Sequence, residues 1–205
     1  MRGKVIITIS RQFGSGGGDI GRMLASELDI PFYDNELISE AAKESGLDQE
    51  VLRNADERAT NSLLYSISMG FYGVADGYTN LPINDKVYIT QSHIIREVAE
   101  KGSCVILGRC ADYILRDNPR VFNVFIHADM DSKVARVSKK LDLPEDKAES
   151  VIFKTDKKRA SYYSYYTGQK WGKADNYHLS IDSGFMGVEK SVALIKECID
   201  LKFGV

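Results

Sequence analysis

The segment Ser10-Arg11-Gln12-Phe13-Gly14-Ser15-Gly16-Gly17-Gly18-Asp19-Ile20-Gly21-Arg22 puts glycine at four of the five positions from 14 to 18. Each glycine costs backbone entropy, so a plain connection does not need them, whereas a backbone that closes on phosphate does. Such loops aim their N–H groups at the anion, and the helix that follows adds partial positive charge. The alternative is a tight turn with close helix–sheet packing. On the phosphate reading the main chain of Gly14, Ser15, Gly16, Gly17 and Gly18 forms the cradle. Arg11 is then either an exposed loop residue or a side-chain ligand of the phosphate. Asp19 is either a helix N-cap or a carboxylate beside phosphate, whose repulsion a Mg²⁺ ion would relieve.

Two nucleotide motifs compete for this loop. Gly16, Gly18 and Gly21 spell G-x-G-x-x-G, Tyr33-Asp34 follows where a ribose-binding acid stands, and Tyr166 and Lys170 form a Y-x-x-x-K pair. These point to an NAD(P)-dependent oxidoreductase. Against it, the glycines begin too far after the strand, and Gly168 interrupts the helix that should carry the Tyr/Lys pair. The distance from strand to helix suits a P-loop instead, but no lysine lies in the loop and no Ser or Thr opens the helix.

Other candidate residues lie further on. Arg109 follows an apolar run and a glycine, which puts it at a carboxyl strand end, where ligands of open α/β sheets gather. Asp34 is placed to pair with a strand-end arginine. Asp156 and Arg159, three apart, share a helix face and can form a surface ion pair. Tyr162, Tyr163, Tyr165 and Tyr166 can pack that helix on the core or stack on a base. Residues 133–173 carry 11 Lys and Arg against 5 Asp and Glu, in a chain whose net charge is −2. This segment is either a solvated face or the cover of a polyanionic small ligand.

Alternating elements must position these groups. Strands are predicted at 4–10, 31–33, 103–107, 121–127 and 178–182. Helices are predicted at 19–28, 35–44, across most of 48–101, at 132–141, 144–166 and 188–202. Pro144 suits a first helical turn. Strand–helix alternation implies a parallel sheet with right-handed crossovers. The strand-poor region 46–101 reads as an insertion, and its run 63–72 is apolar nearly all round: a buried helix or a homodimer contact. The chain's 205 residues and 43% hydrophobic content fit one globular domain. The near-neutral charge gives no sign of a nucleic-acid binder, and no run is long and apolar enough to span a membrane. Three cysteines and three histidines without ligand spacing argue against a zinc site and for a reducing cytoplasm.

The runs Ile7-Thr-Ile-Ser-Arg-Gln-Phe-Gly-Ser-Gly-Gly-Gly-Asp-Ile-Gly-Arg-Met-Leu-Ala25, Tyr33-Asp34, Val105-Ile-Leu-Gly-Arg-Cys110 and Asp156-Lys-Lys-Arg159 through Gly172 resemble the cytidylate kinase-like family of P-loop nucleoside monophosphate kinase relatives. The resemblance covers essentially the whole chain. It implies a three-layer α/β/α P-loop kinase fold over residues 1–205. The 46–101 insertion would bind the monophosphate and the basic 133–173 region would be the lid. It implies ATP with Mg²⁺ and a small-molecule nucleotide acceptor, CMP-like or similar. It also implies that Asp34 stands near the acceptor and that Asp156 and Arg159 serve the site, the arginine touching the transferring phosphate. The chain departs from the family loop, approximately G-P-S-G-A-G-K-G-T. Arg11 stands for the leading glycine, Gly17 for the lysine and Asp19 for the hydroxyl, while the motif G-R-D becomes Gly108-Arg109-Cys110. Either Arg11 or a lid cation substitutes for the lysine, or the protein binds nucleotide as a regulator with little transfer.

Overall fold

A computed structural model describes residues 4–34 and 82–204. Five strands, β1 (Ile6–Arg11), β2 (Phe32–Tyr33), β3 (Cys104–Leu107), β4 (Val121–His127) and β5 (Leu179–Asp182), form one sheet in the order β2-β3-β1-β4-β5. Every pairing is parallel. The three strongest apolar runs are thus the three central neighbours, as their continuous β-branched character requires of strands buried on both faces.

The period of two along β1 divides the core. Ile7 and Ile9 pack on one face with Ile20 and Leu24 of α1 (Gly17–Leu28) and Val192, Ile195 and Ile199 of the last helix. Ile6, Cys104 and Ile106 pack on the other with Ile94, Ile95 and Val98 of α2 (Ile83–Lys101), Ile114 and three tyrosines. Two helical layers on one parallel sheet make the three-layer α/β/α architecture. Each fully buried Ile contributes about 1.5–3 kcal/mol through removal from water. The polar exceptions in β1 are satisfied: Thr8 Oγ1 lies 2.7 Å from Asn123 Oδ1 on β4. Burial pushes the Cys104 thiol up to about 11, so it is an inert core group.

The remaining helices are α3 (Ala111–Ile114), α4 (Met130–Leu141), α5 (Glu145–Thr167), α6 (Ser183–Met186) and α7 (Val188–Phe203). α1 starts two residues before its predicted start. Gly16, left-handed at φ 74°, is its N-cap, and the Gly16 carbonyl accepts from Asp19 and Ile20. Asp19 is therefore a first-turn acid, not the N-cap. α4 starts at Met130 because the Asp129 carboxylate caps it, accepting from Ser132 N at 2.8 Å. Pro144 stands at the N-cap of α5, one position before the expected first turn. α3 and α6, a single turn each, carry no periodicity and were not predicted.

α4 and α5 make up most of the basic segment 133–173, and they pack through Val137, Ala148 and Ile152, with Phe13 against them. The helix predicted at 35–44, residues 46–81 of the insertion and the apolar run 63–72 with its dimer contact lie outside the described residues. Among the described residues no helix is long and apolar enough to cross a membrane.

Candidate phosphate-binding site

The site lies where β1 turns into α1. Gln12 N closes the strand onto Ile126 O at 2.9 Å, and Gly14 and Gly16 then take φ of 79° and 74°. Gly14 has no room for a side chain, since a Cβ there would lie 2.9 Å from both Lys133 O and Val137 Cγ2 of α4. Ser15 turns inward and is fully buried, its hydroxyl donating to Gln12 O at 2.9 Å. Among the described residues the amides of Gly16, Gly17 and Gly18 have no hydrogen-bond acceptor. These are the orphan donors of a helix start, and they line a cavity of about 520 Å³.

Cations surround that cavity. Arg11, Arg22, Arg136, Lys139, Lys140 and Arg159 line it, against the acids Asp19 and Asp34. Both acids meet Arg22: Asp19 Oδ1 at 3.5 Å and Asp34 Oδ2 at 3.3 Å. The partner of Asp34 is thus an α1 arginine, not one at a strand end. The net positive lining suits a polyphosphate.

The loop is held from behind by groups remote in sequence. Phe13 N donates to Asp156 Oδ1 at 2.7 Å, and Arg159 Nη1 donates to Arg11 O at 3.1 Å. The Arg159 guanidinium also lies 5.5 Å from the Phe13 ring centre. Asp156 and Arg159, one turn apart on α5, therefore grip two points of the loop. Asp156 does not line the cavity. Its second oxygen lies 3.7 Å from Lys133 Nζ, and Lys133 is only 5% exposed. Burial raises the Asp156 pKa despite the Phe13 amide, Lys133 and Arg159, which all favour the charged form. On the other side Arg136 donates to Gly14 O at 3.3 Å and Ser183 O at 2.9 Å, and the Ser183 hydroxyl reaches Ser15 O at 2.5 Å. Arg136, Lys133 and Ser183 were not singled out in the sequence; Arg136 and Lys133 look like any charge on a basic helix.

Arg109 lies elsewhere. β3 ends in three successive left-handed residues, Gly108, Arg109 and Cys110, at φ 77°, 58° and 55°. For the two non-glycines this costs about 1–2 kcal/mol each, a strain that collects at functional sites. The turn lines a small pocket of about 50 Å³ with Ser10, Arg11, Arg159, Tyr162, Tyr163 and Trp171. Arg11 and Arg159 belong to both walls, so the two spaces adjoin.

The α5 tyrosines pack. Tyr166 stacks on Tyr88 of α2 at 4.0 Å and donates to Asp85 Oδ1 at 3.1 Å. Gly168, left-handed at φ 69°, ends α5, so Tyr166 and Lys170 do not share a helix. Tyr163 donates to Asp112 Oδ2 at 2.7 Å.

Family comparison is decisive at this point. A model of the cytidylate kinase-like family matches residues 6–184. The chain belongs to this family. A solved structure of an uncharacterized protein from Eubacterium ventriosum is 32% identical, with a TM-score of 0.73 over 96% of this chain and 99% of that one. Shikimate kinase from Bacteroides thetaiotaomicron shares the fold at 16% identity and TM-score 0.56, over 97% and 99% of the two chains. A gluconokinase from Sinorhizobium meliloti does so at 14% and 0.51, over 98% and 97%. No curated protein sequence matches significantly. The family and the shared fold make this a P-loop kinase-type α/β/α architecture, with the glycine loop at its first βα connection.

One pH effect follows from the buried acid of α3. Burial pushes the Asp112 carboxyl up to about 6, against the lowering hydrogen bonds from Tyr163 and the backbone. A raised acid pKa means that the folded state holds a proton that the unfolded chain has already released. Stability should therefore fall as pH rises from about 4 to about 6, by on the order of 3 kcal/mol from this group. Tyr163 and Tyr177, its neighbours, are pushed upward by burial and by Asp112, and stay neutral across this window. In Asp112→Asn that slope should vanish, as denaturant unfolding at pH 4.5 and 7 would show. Parallel pH curves for variant and wild type would contradict the assignment.

Proposed function

We propose that the chain is an ATP-dependent phosphotransferase whose acceptor is a nucleoside monophosphate, CMP-like, or a similarly small phosphate-bearing molecule. The observation that carries this reading is the adjacency of two spaces. The larger has the orphan amides of Gly16–Gly18 and a ring of cations; the smaller has Arg109 on a strained turn; Arg11 and Arg159 stand in both walls. Phosphoryl transfer needs little covalent help from the protein: it needs positioning and positive charge about the moving group.

The donor fits the larger cavity. Loop amides and the α1 N-terminus would hold ATP's β-phosphate, Arg136 and the α4 lysines would stand toward its outer charge, and Arg159 would face the γ-phosphate. Mg²⁺, which neutralises charge between the β- and γ-phosphates, would arrive with ATP. Among the described residues no group of three or more His, Cys, Asp or Glu could hold a metal. Phosphate oxygens and water would then supply most of its ligands, and Asp19, on the cavity wall, would be the residue of this chain that helps hold it. Arg109 would hold the acceptor's phosphate, and Asp34, which pairs with Arg22 on the wall of the larger cavity, would stand toward the acceptor.

The test is ADP release from Mg-ATP with each common nucleoside monophosphate in turn. Release that depends on one of them supports the proposal. Tight ATP binding with no acceptor-dependent release would make the protein a nucleotide-binding regulator instead. Arg109→Gly separates function from fold. Glycine takes φ 58° without steric cost, so the turn should keep its shape, while turnover should fall on the order of 100-fold. Normal turnover in that variant would remove Arg109 from the reaction.

A further inference from the structure

We infer that Arg11 supplies the charge that a P-loop lysine at position 17 would otherwise carry, entering the transfer site from the end of β1 instead of the start of α1. This rests on the phosphotransferase reading above. In the general motif the lysine follows the last loop glycine and reaches the β- and γ-phosphates. Here that position is Gly17, and the absence of a side chain has a spatial cause. A Cβ on Gly17 would lie 2.5 Å from Arg11 Cβ, 3.0 Å from Arg11 Cγ and 3.3 Å from Ile126 Cβ. The Arg11 stem runs through the space where a lysine stem would begin.

The far end of Arg11 needs a second glycine. A Cβ on Gly108 would overlap Arg11 Nη1 and lie 3.3 Å from its Cζ. The guanidinium therefore crosses from the end of β1 to the end of β3, over Gly108. It ends on the boundary between the loop cavity and the arginine pocket, whose walls both contain it. Arg159 holds the Arg11 carbonyl, which fixes the base of the side chain. Gly17, Gly108 and Arg11 thus form one steric unit: the lysine cannot return while Arg11 lies there, and Arg11 cannot lie there if either glycine is substituted.

The boundary is where the moving group must pass. The bond from Pγ to the β–γ bridging oxygen breaks, and that oxygen leaves as part of ADP. An anionic phosphate oxygen of the acceptor forms the new bond to Pγ. Arg11 takes no part in either bond and loses no proton; it donates to the equatorial oxygens whose charge it balances. A guanidinium offers two parallel donors to such oxygens, more than an ammonium can present in one plane.

The experiment measures Mg-ATP and Mg-ADP binding to the full chain without acceptor, so it does not depend on finding the acceptor. The wild type should prefer ATP, and folded Arg11→Ala should lose at least tenfold of that preference. Gly17→Lys alone should bind both nucleotides poorly. The double variant Arg11→Gly with Gly17→Lys, which restores the ordinary arrangement, should regain at least tenfold in ATP preference over Arg11→Gly alone. If the wild type binds neither nucleotide, the phosphotransferase reading fails, and this inference with it. A wild type that binds ATP and ADP equally, an Arg11→Ala variant that keeps the preference, or a folded double variant no better than Arg11→Gly overturns the role of Arg11 alone. If the double variant does not fold, the Arg11→Ala ratio decides.

Discussion

Arg159→Ala should lower turnover by about 100-fold or more, the usual effect of removing a side-chain ligand of a transferring phosphate. Two features set the size. Arg159 stands in the walls of both spaces, so its charge serves the group between them. It also donates to Arg11 O at 3.1 Å, so its loss loosens a second cation. The structural cost includes the hydrogen bond to the Arg11 carbonyl, about 1 kcal/mol, the contact with Phe13 and the charge that favours ionised Asp156. Arg159→Lys should recover only part of the rate, because an ammonium cannot hold the Arg11 carbonyl and a phosphate oxygen in one plane. Steady-state ADP release beside a thermal melt checks both halves. A folded alanine variant with normal turnover would move the transfer site away from α5.

Asp156→Ala should act in the opposite manner, through the fold first. The change removes the acceptor of Phe13 N and strands Lys133, a lysine only 5% exposed, without its carboxylate. Breaking a buried pair by deleting one partner costs about 3–5 kcal/mol; the Asp156 side chain keeps 18% exposure, which points to the lower end, about 3 kcal/mol. For a chain of this length that lowers the melting temperature by about 6–12 °C. Asp156→Asn keeps an oxygen for Phe13 N and loses only the charge, so it should fall between. A melting temperature unchanged in the alanine variant would show that α5 does not hold the loop.

The sheet was legible because β1, β3 and β4 are continuous β-branched runs, and such runs signal strands buried on both faces. The loop was legible because nothing but a close approach justifies so many glycines. The grips on the loop were not, since they join Phe13 to Asp156 and Ser15 to Ser183, pairs 143 and 168 residues apart. Asp156 and Arg159 read from spacing as partners of each other; they do interact electrostatically, and each also holds a point of the loop, which spacing does not reveal. The turn at Gly108–Cys110 was hidden because arginine and cysteine do not announce a left-handed backbone. Arg11 was noticed only as an anomaly of the motif; the reason for Gly17 lies in a contact that no one-dimensional pattern contains.

The central place of β1 has a consequence for how the protein is made. Ile6 pairs with Cys104 on one side and Val121 on the other. β1 thus waits for about a hundred further residues before it has either neighbour. The glycine loop waits longer still, for Asp156 and then Ser183. At ordinary synthesis speeds the wait for Ser183 is on the order of 10–30 s, during which the apolar β1 segment has no complete sheet to join. Parallel sheets with such distant pairings fold slowly and expose unpaired edges meanwhile. Burst synthesis at high temperature should therefore deplete soluble yield well before it threatens the finished molecule, and holdase chaperones should bind the unpaired Lys4–Ser10 segment.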